Sequence, residues 1–307
     1  MLRKVAIIGA NGFVGRHLVE HAASQGVKVL GVVRSAHGAA LVQSLGGRPL
    51  PVADLGRETR RALESELKAC DGLVYTAPVS VSPLARDRTD PAGLLNVLEA
   101  CRTAGVPRVV FFSGLGIAHF GMNPHCTSPY FLAKMAGEVA LFRSGLAATV
   151  FRPSYIFGAR DEFLTPLLAR MSESTVIEIP GDGAYRIQPI SVRDTARATL
   201  RALEPDEAPA RVVDLVGPEI ISYRDLIARM ALAMRRPVEI RHRSVDEAFA
   251  QARASGYFGL RPQDLACLLC DEVADPTAAR RLVEGTLESL DSVIAQAFET
   301  LAPSGAR

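Results

Sequence analysis

Short apolar runs recur along the first half of the chain, and between them the apolar positions return at helical spacing. The runs predict strands at Val5–Ile8, Val27–Val33, Arg48–Val52, Gly72–Thr76, Arg108–Phe112 and Ala148–Phe151, with helices between them. Strands alternating with helices build an α/β fold, a doubly wound parallel sheet, because parallel neighbours need a crossover connection. Gly26 and Gly105 follow helical stretches as C-terminal caps, and Asp90-Pro91 reads as an N-cap and first-turn pair.

After about Arg152 the alternation loosens. Ile179 to Gly183 reads as turns, while Val192–Leu203 and Tyr223–Met234 read as helices, with Asp194 in the first turn of the former. From Pro276 to Leu301 the positions Val283, Leu287, Leu290, Ile294 and Phe298 keep helical spacing and predict one amphipathic helix packed on its own domain. The division expected is a Rossmann domain over residues 1–158 and a smaller, interleaved lobe over 159–307, with part of 186–215 returning to the first domain.

Composition narrows the classes. With 307 residues, 48% hydrophobic and 22% charged, the chain can bury a full core. Its formal charge of +2 is spread along the sequence, so no basic stripe marks a nucleic-acid surface. No run approaches the roughly 18 apolar residues of a spanning helix, and the N-terminus lacks the pattern of a signal peptide. Five cysteines sit mostly among apolar neighbours, as reduced core thiols do, which points to the cytoplasm. Cys267 and Cys270 enclose two leucines with no second pair or nearby His, so they read as a buried helical face rather than a metal site. Oligomer formation is left open.

The first candidate chemistry is Gly9-Ala10-Asn11-Gly12-Phe13-Val14-Gly15, placed between the first strand and first helix. Glycines there permit a tight turn and close approach of a pyrophosphate, and the helix presents free N–H groups and its positive dipole end to the anion. This marks a dinucleotide site. An Asp or Glu ending the second strand normally binds the adenosine ribose of NAD; this chain has no acid between Glu20 and Asp54 and reads Val33-Arg34-Ser35 instead. A guanidinium at Arg34 suits a 2′-phosphate, so NADP(H) is expected ahead of NAD(H), the alternative role of Arg34 being a solvated side chain. Thr76, Ala77 and Pro78, closing the fourth strand, complete the cofactor-binding set expected along the sheet.

Tyr130 and Lys134 stand at i and i+4 of a helix that Ser128 and Pro129 start. A phenol is a poor acid–base group at neutral pH unless a nearby cation lowers its pKa, and a lysine one turn away supplies that charge. The glycine spacing and this Y-x-x-x-K resemble the extended and atypical short-chain dehydrogenase/reductase superfamily. The likeness covers most of the chain, including Asn96, the run Phe151 to Gly158, Gly181-Asp182-Gly183 and Gln188-Pro189-Ile190. The subgroup it most resembles includes the nucleotide-binding accessory subunit of respiratory complex I.

The resemblance implies Tyr130 as general acid/base, Lys134 as ribose ligand and pKa modulator, Pro153 and Ser154 beside the nicotinamide, and Asp54 at the adenine amino group, for which capping the next helix is the alternative. It also implies a Ser or Thr just after the fifth strand. Here the chain reads Phe112-Ser113-Gly114-Leu115-Gly116, so Ser113 stands one or two positions early, with Thr127 or Ser128 as substitutes. No Asp or Glu lies between Glu99 and Glu138, which disfavours dehydration chemistry; His119, His125 and Cys126 lie there without a visible partner, and Arg186 is a weak candidate for a substrate phosphate. The expected function is an NAD(P)-dependent oxidoreductase that interconverts a carbonyl and a secondary alcohol on a small-molecule substrate. A sugar-nucleotide epimerase and a non-catalytic dinucleotide-binding subunit or assembly protein are the alternatives.

Overall fold

Successive residues of a strand face opposite sides of a sheet, so a strand buried on both sides is apolar throughout. A computed structural model of the chain, which describes residues 1–77, 91–122, 129–207, 209, 211–257 and 261–300, shows this arrangement. In β1 (Lys4–Ile8), Val5 and Ile7 enter one core while Ala6 and Ile8 enter another on the opposite face. The remaining strands are β2 (Lys28–Val33), β3 (Arg48–Pro51), β4 (Gly72–Tyr75), β5 (Val109–Phe112), β6 (Ala148–Pro153) and a seventh, Val212–Leu215. They form one parallel sheet in the order Val212–Leu215, β6, β5, β4, β1, β2, β3. The strand order reverses between β1 and β4, and a crevice opens there at the carboxyl ends of the strands.

The five helices that follow β1 to β5 are α1 (Phe13–Ser24), α2 (Ala36–Ser44), α3 (Arg57–Leu67), α4 (Pro91–Ala104) and α5 (Pro129–Arg143). Leu18 and Val19 of α1 share one face with Val192–Leu203 and Thr277–Val283; residues of α3, α4 and α5 cover the other. A third core gathers Phe157, Leu168, Ile179, Leu226, Met230 and Ile294 around the parallel pair Val176–Pro180 and Glu239–Arg243. Among the described residues, no helix is long and apolar enough to cross a membrane.

The six strands read from the sequence match the observed ones to within a residue or two. Val212–Leu215 escaped notice because Asp214 interrupts a short run, yet it pairs with β6 along its whole length. The single helix expected from Pro276 to Leu301 is instead two, Thr277–Val283 and Leu290–Glu299. Glu284 turns left-handed at φ 55° ahead of Gly285, and Ser289 restarts the helix by accepting from the Ser292 N–H. The periodic apolar positions belong to two cores: Val283 and Leu287 pack under the sheet, Leu290 and Ile294 in the third cluster. Cys267 lies half-buried on the helix Pro262–Leu268 and Cys270 is buried just beyond it, its thiol donating to Ala266 O. No three His, Cys, Asp or Glu side chains among the described residues converge as a metal site. Asp90, Cys126, His125 and Leu301 lie outside the described residues.

One ion pair fastens α5 to the sheet. Glu138, 5% exposed, accepts two hydrogen bonds from the Arg152 guanidinium of β6, at 2.9 and 2.6 Å. Removing one partner of such a pair leaves the other charge poorly compensated. Glu138→Ala is therefore expected to lower stability by roughly 1–3 kcal/mol in urea unfolding, because Arg152 is left half-buried with only Asp214 to offset its charge. A loss below about 0.5 kcal/mol, the size typical of a plain surface substitution, would show that the pair holds nothing.

Candidate active site

The turn between β1 and α1 is held by backbone hydrogen bonds and by the Thr76 hydroxyl, which donates to Gly9 O at 3.2 Å. The Gly9 N–H donates to Val32 O at 3.2 Å and the Gly12 N–H to Gly9 O at 3.0 Å. Gly9 adopts φ +81°, and a Cβ there would stand 2.9 Å from the Ala77 nitrogen. Gly15 faces the turn so closely that a Cβ would lie 2.1 Å from Gly9 O. Gly12, the N-cap of α1, has no side chain to occupy the first-turn N–H groups, and a Cβ on it would meet only Gly9 O at 3.3 Å. These open N–H groups are what a pyrophosphate requires. Phe13 and Val14 begin α1 half-buried, and the exposed Asn11 leans over Gly38.

A cavity of about 670 Å³ runs from this turn along the ends of β1, β2 and β4. Gly9, Asn11, Gly12, Arg34, Asp54 and Thr76 line it, together with Asn96, which is fixed by donating to Leu55 O at 2.9 Å. Its size falls within the range of small-molecule and cofactor sites. Arg34 follows β2 directly, and the next residue, Ser35, caps α2 by accepting from the Gly38 N–H at 3.1 Å. Asp54 does not cap α3, whose N-cap is Gly56; it accepts from the Gly56 N–H at 2.7 Å and lines the cavity. Thr76 donates its hydroxyl to Ile8 O at 2.8 Å, and Ala77 abuts Gly9; Pro78 lies outside the described residues.

On α5, Tyr130 and Lys134 come together. The Lys134 side chain is buried, and its Nζ donates to Phe112 O at 2.7 Å while lying 5.5 Å from the centre of the Tyr130 ring. Burial lowers the Lys134 ammonium to about 8, opposed by the Glu138 carboxylate. The phenol moves the other way from the expectation. Tyr130 is 41% exposed, which limits the solvation it loses; the burial of its ring pushes the phenol up, with Cys267, Glu272 and Asp264 adding to the rise. The ammonium sits over the face of the ring.

Ser113 is turned inward. Its N–H donates to Phe151 O at 2.7 Å, and its buried hydroxyl finds no partner among the described residues. Gly114 takes the place opposite the phenol: a Cβ there would lie 3.3 Å from Tyr130 Cε1 and 3.7 Å from its oxygen. The substitutes Thr127 and Ser128 lie outside the described residues, and so does any capping role of Ser128. Pro153 ends β6, and the Ser154 hydroxyl accepts from the Gln188 N–H at 3.1 Å, a bond that ties the sheet to the following lobe. Arg186 pairs with Asp271 at 2.7 Å. His119 ends the short 3-10 turn Leu115–His119.

The sequence reading passed over one group. Glu272, 6% exposed, meets that turn from the far end of the chain and accepts the Gly116 N–H. The acidic doublet Asp271-Glu272, directly after the apolar stretch Leu265 to Cys270, was the only local sign of it.

Over residues 5–215 the chain matches the model of the NAD dependent epimerase/dehydratase family. It is 26% identical over 276 residues to the dTDP-4-dehydro-6-deoxy-D-allose reductase of a Streptomyces species, covering 78% of this chain and 83% of that protein. It is also 26% identical over 231 residues to the mitochondrial NADH dehydrogenase (ubiquinone) 1 alpha subcomplex subunit 9 of Arabidopsis thaliana, covering 72% of this chain but 55% of that subunit. Among solved structures, Bordetella bronchiseptica WbmH in complex with NAD+ shares the fold at a TM-score of 0.76 and 21% identity, with both chains covered in full.

The two glycines of the turn should separate by substitution. Gly12→Val adds a branched side chain toward the cavity where the protein itself has room, so calorimetric binding of NADPH and NADH is expected to vanish while the melting temperature stays near the parent's. Gly15→Ala drives a methyl into Gly9 O and should lower the melting temperature as well. Retained nucleotide binding in Gly12→Val would move the site elsewhere.

Proposed function

Because the chain belongs to the NAD dependent epimerase/dehydratase family, we propose that it is an NADP(H)-dependent reductase converting a carbonyl on a small organic substrate to a secondary alcohol. The observation that carries this reading is the Tyr130 phenol standing beside Gly114, with the Lys134 ammonium over its ring and held there by the Phe112 carbonyl. A nicotinamide, when bound, supplies the hydride. The turn Gly9 to Gly15 holds the pyrophosphate, and Asp54 the adenine. Pro153, Ser154 and Lys134 border the nicotinamide half. Residues 1–158 bind the nucleotide in this reading, and the lobe over 159–307 shapes the substrate end.

Tyr130 donates its proton to the carbonyl oxygen as the alcohol forms, and it recovers one from solvent. Lys134 favours the phenolate left behind, and the Phe112 carbonyl keeps the ammonium in place. Gly114 offers no second hydroxyl to that oxygen, and its missing side chain lets the Tyr130 and Phe131 rings close on the backbone there. That missing hydroxyl favours a second reading, a nucleotide-binding subunit without turnover, in which the cavity persists and the proton donor works alone.

Arg34 and the absence of a carboxylate at the end of β2 support the choice of NADP(H). NADPH is accordingly expected to raise the melting temperature more than NADH at equal concentration, and Arg34→Ala to remove most of the difference. Equal shifts in the parent would end the NADP(H) assignment.

Tyr130→Phe removes only the hydroxyl. It should bind NADPH as the parent does yet lose 10²- to 10⁴-fold in kcat on a panel of ketones and aldehydes, the usual contribution of a positioned proton donor. A parent that binds nucleotide and reduces none of the panel would replace the reductase with the binding subunit.

A further inference from the structure

The loop after β5 contains no acid of its own, yet the fold delivers one to it. The Glu272 N–H donates to Arg186 O at 2.8 Å and the residue forms a parallel bridge with Ile187, so its backbone is fixed to the strand that precedes Gln188. Gln188 in turn accepts from the Ala274 N–H at 2.9 Å, securing the same segment from its other side. From there the side chain enters an apolar cluster of Phe131 and Cys270 edged by Ile117, Phe120 and Cys267. Gly116 makes the approach feasible: a Cβ on it would lie 2.9 Å from Glu272 Oε1 and 2.3 Å from Phe131 Cζ. The titratable groups facing this carboxyl are Tyr130 of α5, Tyr155 after β6 and Cys267 of the helix Pro262–Leu268, with the Arg186–Asp271 pair on the strand side.

We propose that Glu272 is a positioning residue for Tyr130: it clamps the turn Leu115–His119 against the Tyr130–Phe131 face of α5 and sets the phenol's strength as a proton donor by the charge it carries or withholds. This rests on the reading of Tyr130 as the acid. Burial pushes the Glu272 carboxyl up to about 8, against the pull of the Gly116 N–H, so at neutral pH it is an uncharged acid. Once ionised, it places a negative charge beside the phenol, which then gives up its proton less readily.

The sign for stability follows from the same difference. Between the ordinary value of 4.5 and about 8 the folded chain holds a proton that the unfolded chain has released, so the contribution of Glu272 falls as pH rises through that window.

Glu272→Gln keeps an acceptor for Gly116 but fixes the charge at zero, and it is compared with the parent, as the full chain, in two measurements. The melting temperature of the variant relative to the parent should climb from pH 5 to pH 8 and then level; a constant difference overturns the proposal. In NADPH-dependent reduction of the carbonyl panel, parental kcat should drop about threefold or more between pH 7 and pH 9, as a charge acting through a half-transferred proton does. Lys134 titrates in the same window in both chains, so the variant should keep only that share of the limb and fall less than the parent between pH 7 and pH 9, with KM for NADPH unchanged. Parental turnover with the same pH profile in both chains overturns the role of Glu272 alone. No turnover in the parent overturns the reductase reading, and the role of Glu272 with it.

Discussion

The seating of α1 on the end of β1 is the constraint on which the rest depends. Gly15 lies where even a methyl would strike Gly9 O, and only that proximity aims the first-turn N–H groups of α1 at the crevice between β1 and β4. Any side chain at either position would lift the helix off the strand, and the cavity along β2 and β4 would lose its floor. Thr76 reinforces the seat by bonding both Ile8 O and Gly9 O across the strand order's point of reversal. Anion recognition in this fold is therefore a property of backbone geometry, and the side chains around it decide which nucleotide fits.

A second anchor places the candidate chemistry next to that cavity. Lys134 is buried at real cost, and the Phe112 carbonyl, the Phe111 and Tyr130 ring faces and the Glu138 carboxylate offset it. Glu138 is itself committed to Arg152, so strand β5, helix α5 and strand β6 form one connected polar line through an apolar core. The phenol at the head of that line is raised chiefly by burial of its ring. Its chemistry thus depends on what surrounds it, and Cys267, Glu272 and Asp264 are the titratable groups whose charge acts on it.

The segments after β6 reach this centre through apolar packing of Cys267 and Cys270 on Phe131 and through a few long-range hydrogen bonds. Ser154 to Gln188, Gln188 to Gly217 and Ala274, and Glu272 to Arg186 connect the end of β6 with the segment that carries the buried carboxyl. Each bond joins residues distant in sequence, so the placement of Glu272 beside the turn after β5 is set by tertiary structure alone.

The sequence by itself determined what depends on neighbours along the chain. Alternating apolar runs placed the six strands, the glycine spacing marked the turn at Gly9 to Gly15, and the i, i+4 spacing set Tyr130 beside Lys134, because periodicity and local sterics act over a few residues. Tertiary structure decided what depends on solvent exclusion and distant packing. It split the helix expected from Pro276 to Leu301 between two cores, turned Ser113 inward and left Gly114 opposite the phenol. It raised the phenol where a neighbouring lysine alone would lower it, and it carried Glu272 to Gly116 from the other end of the chain. Spacing records which groups lie on one face of one element; it holds no information on how much water each keeps once the elements close on one another, and that loss of water sets the charge of Tyr130, Lys134 and Glu272.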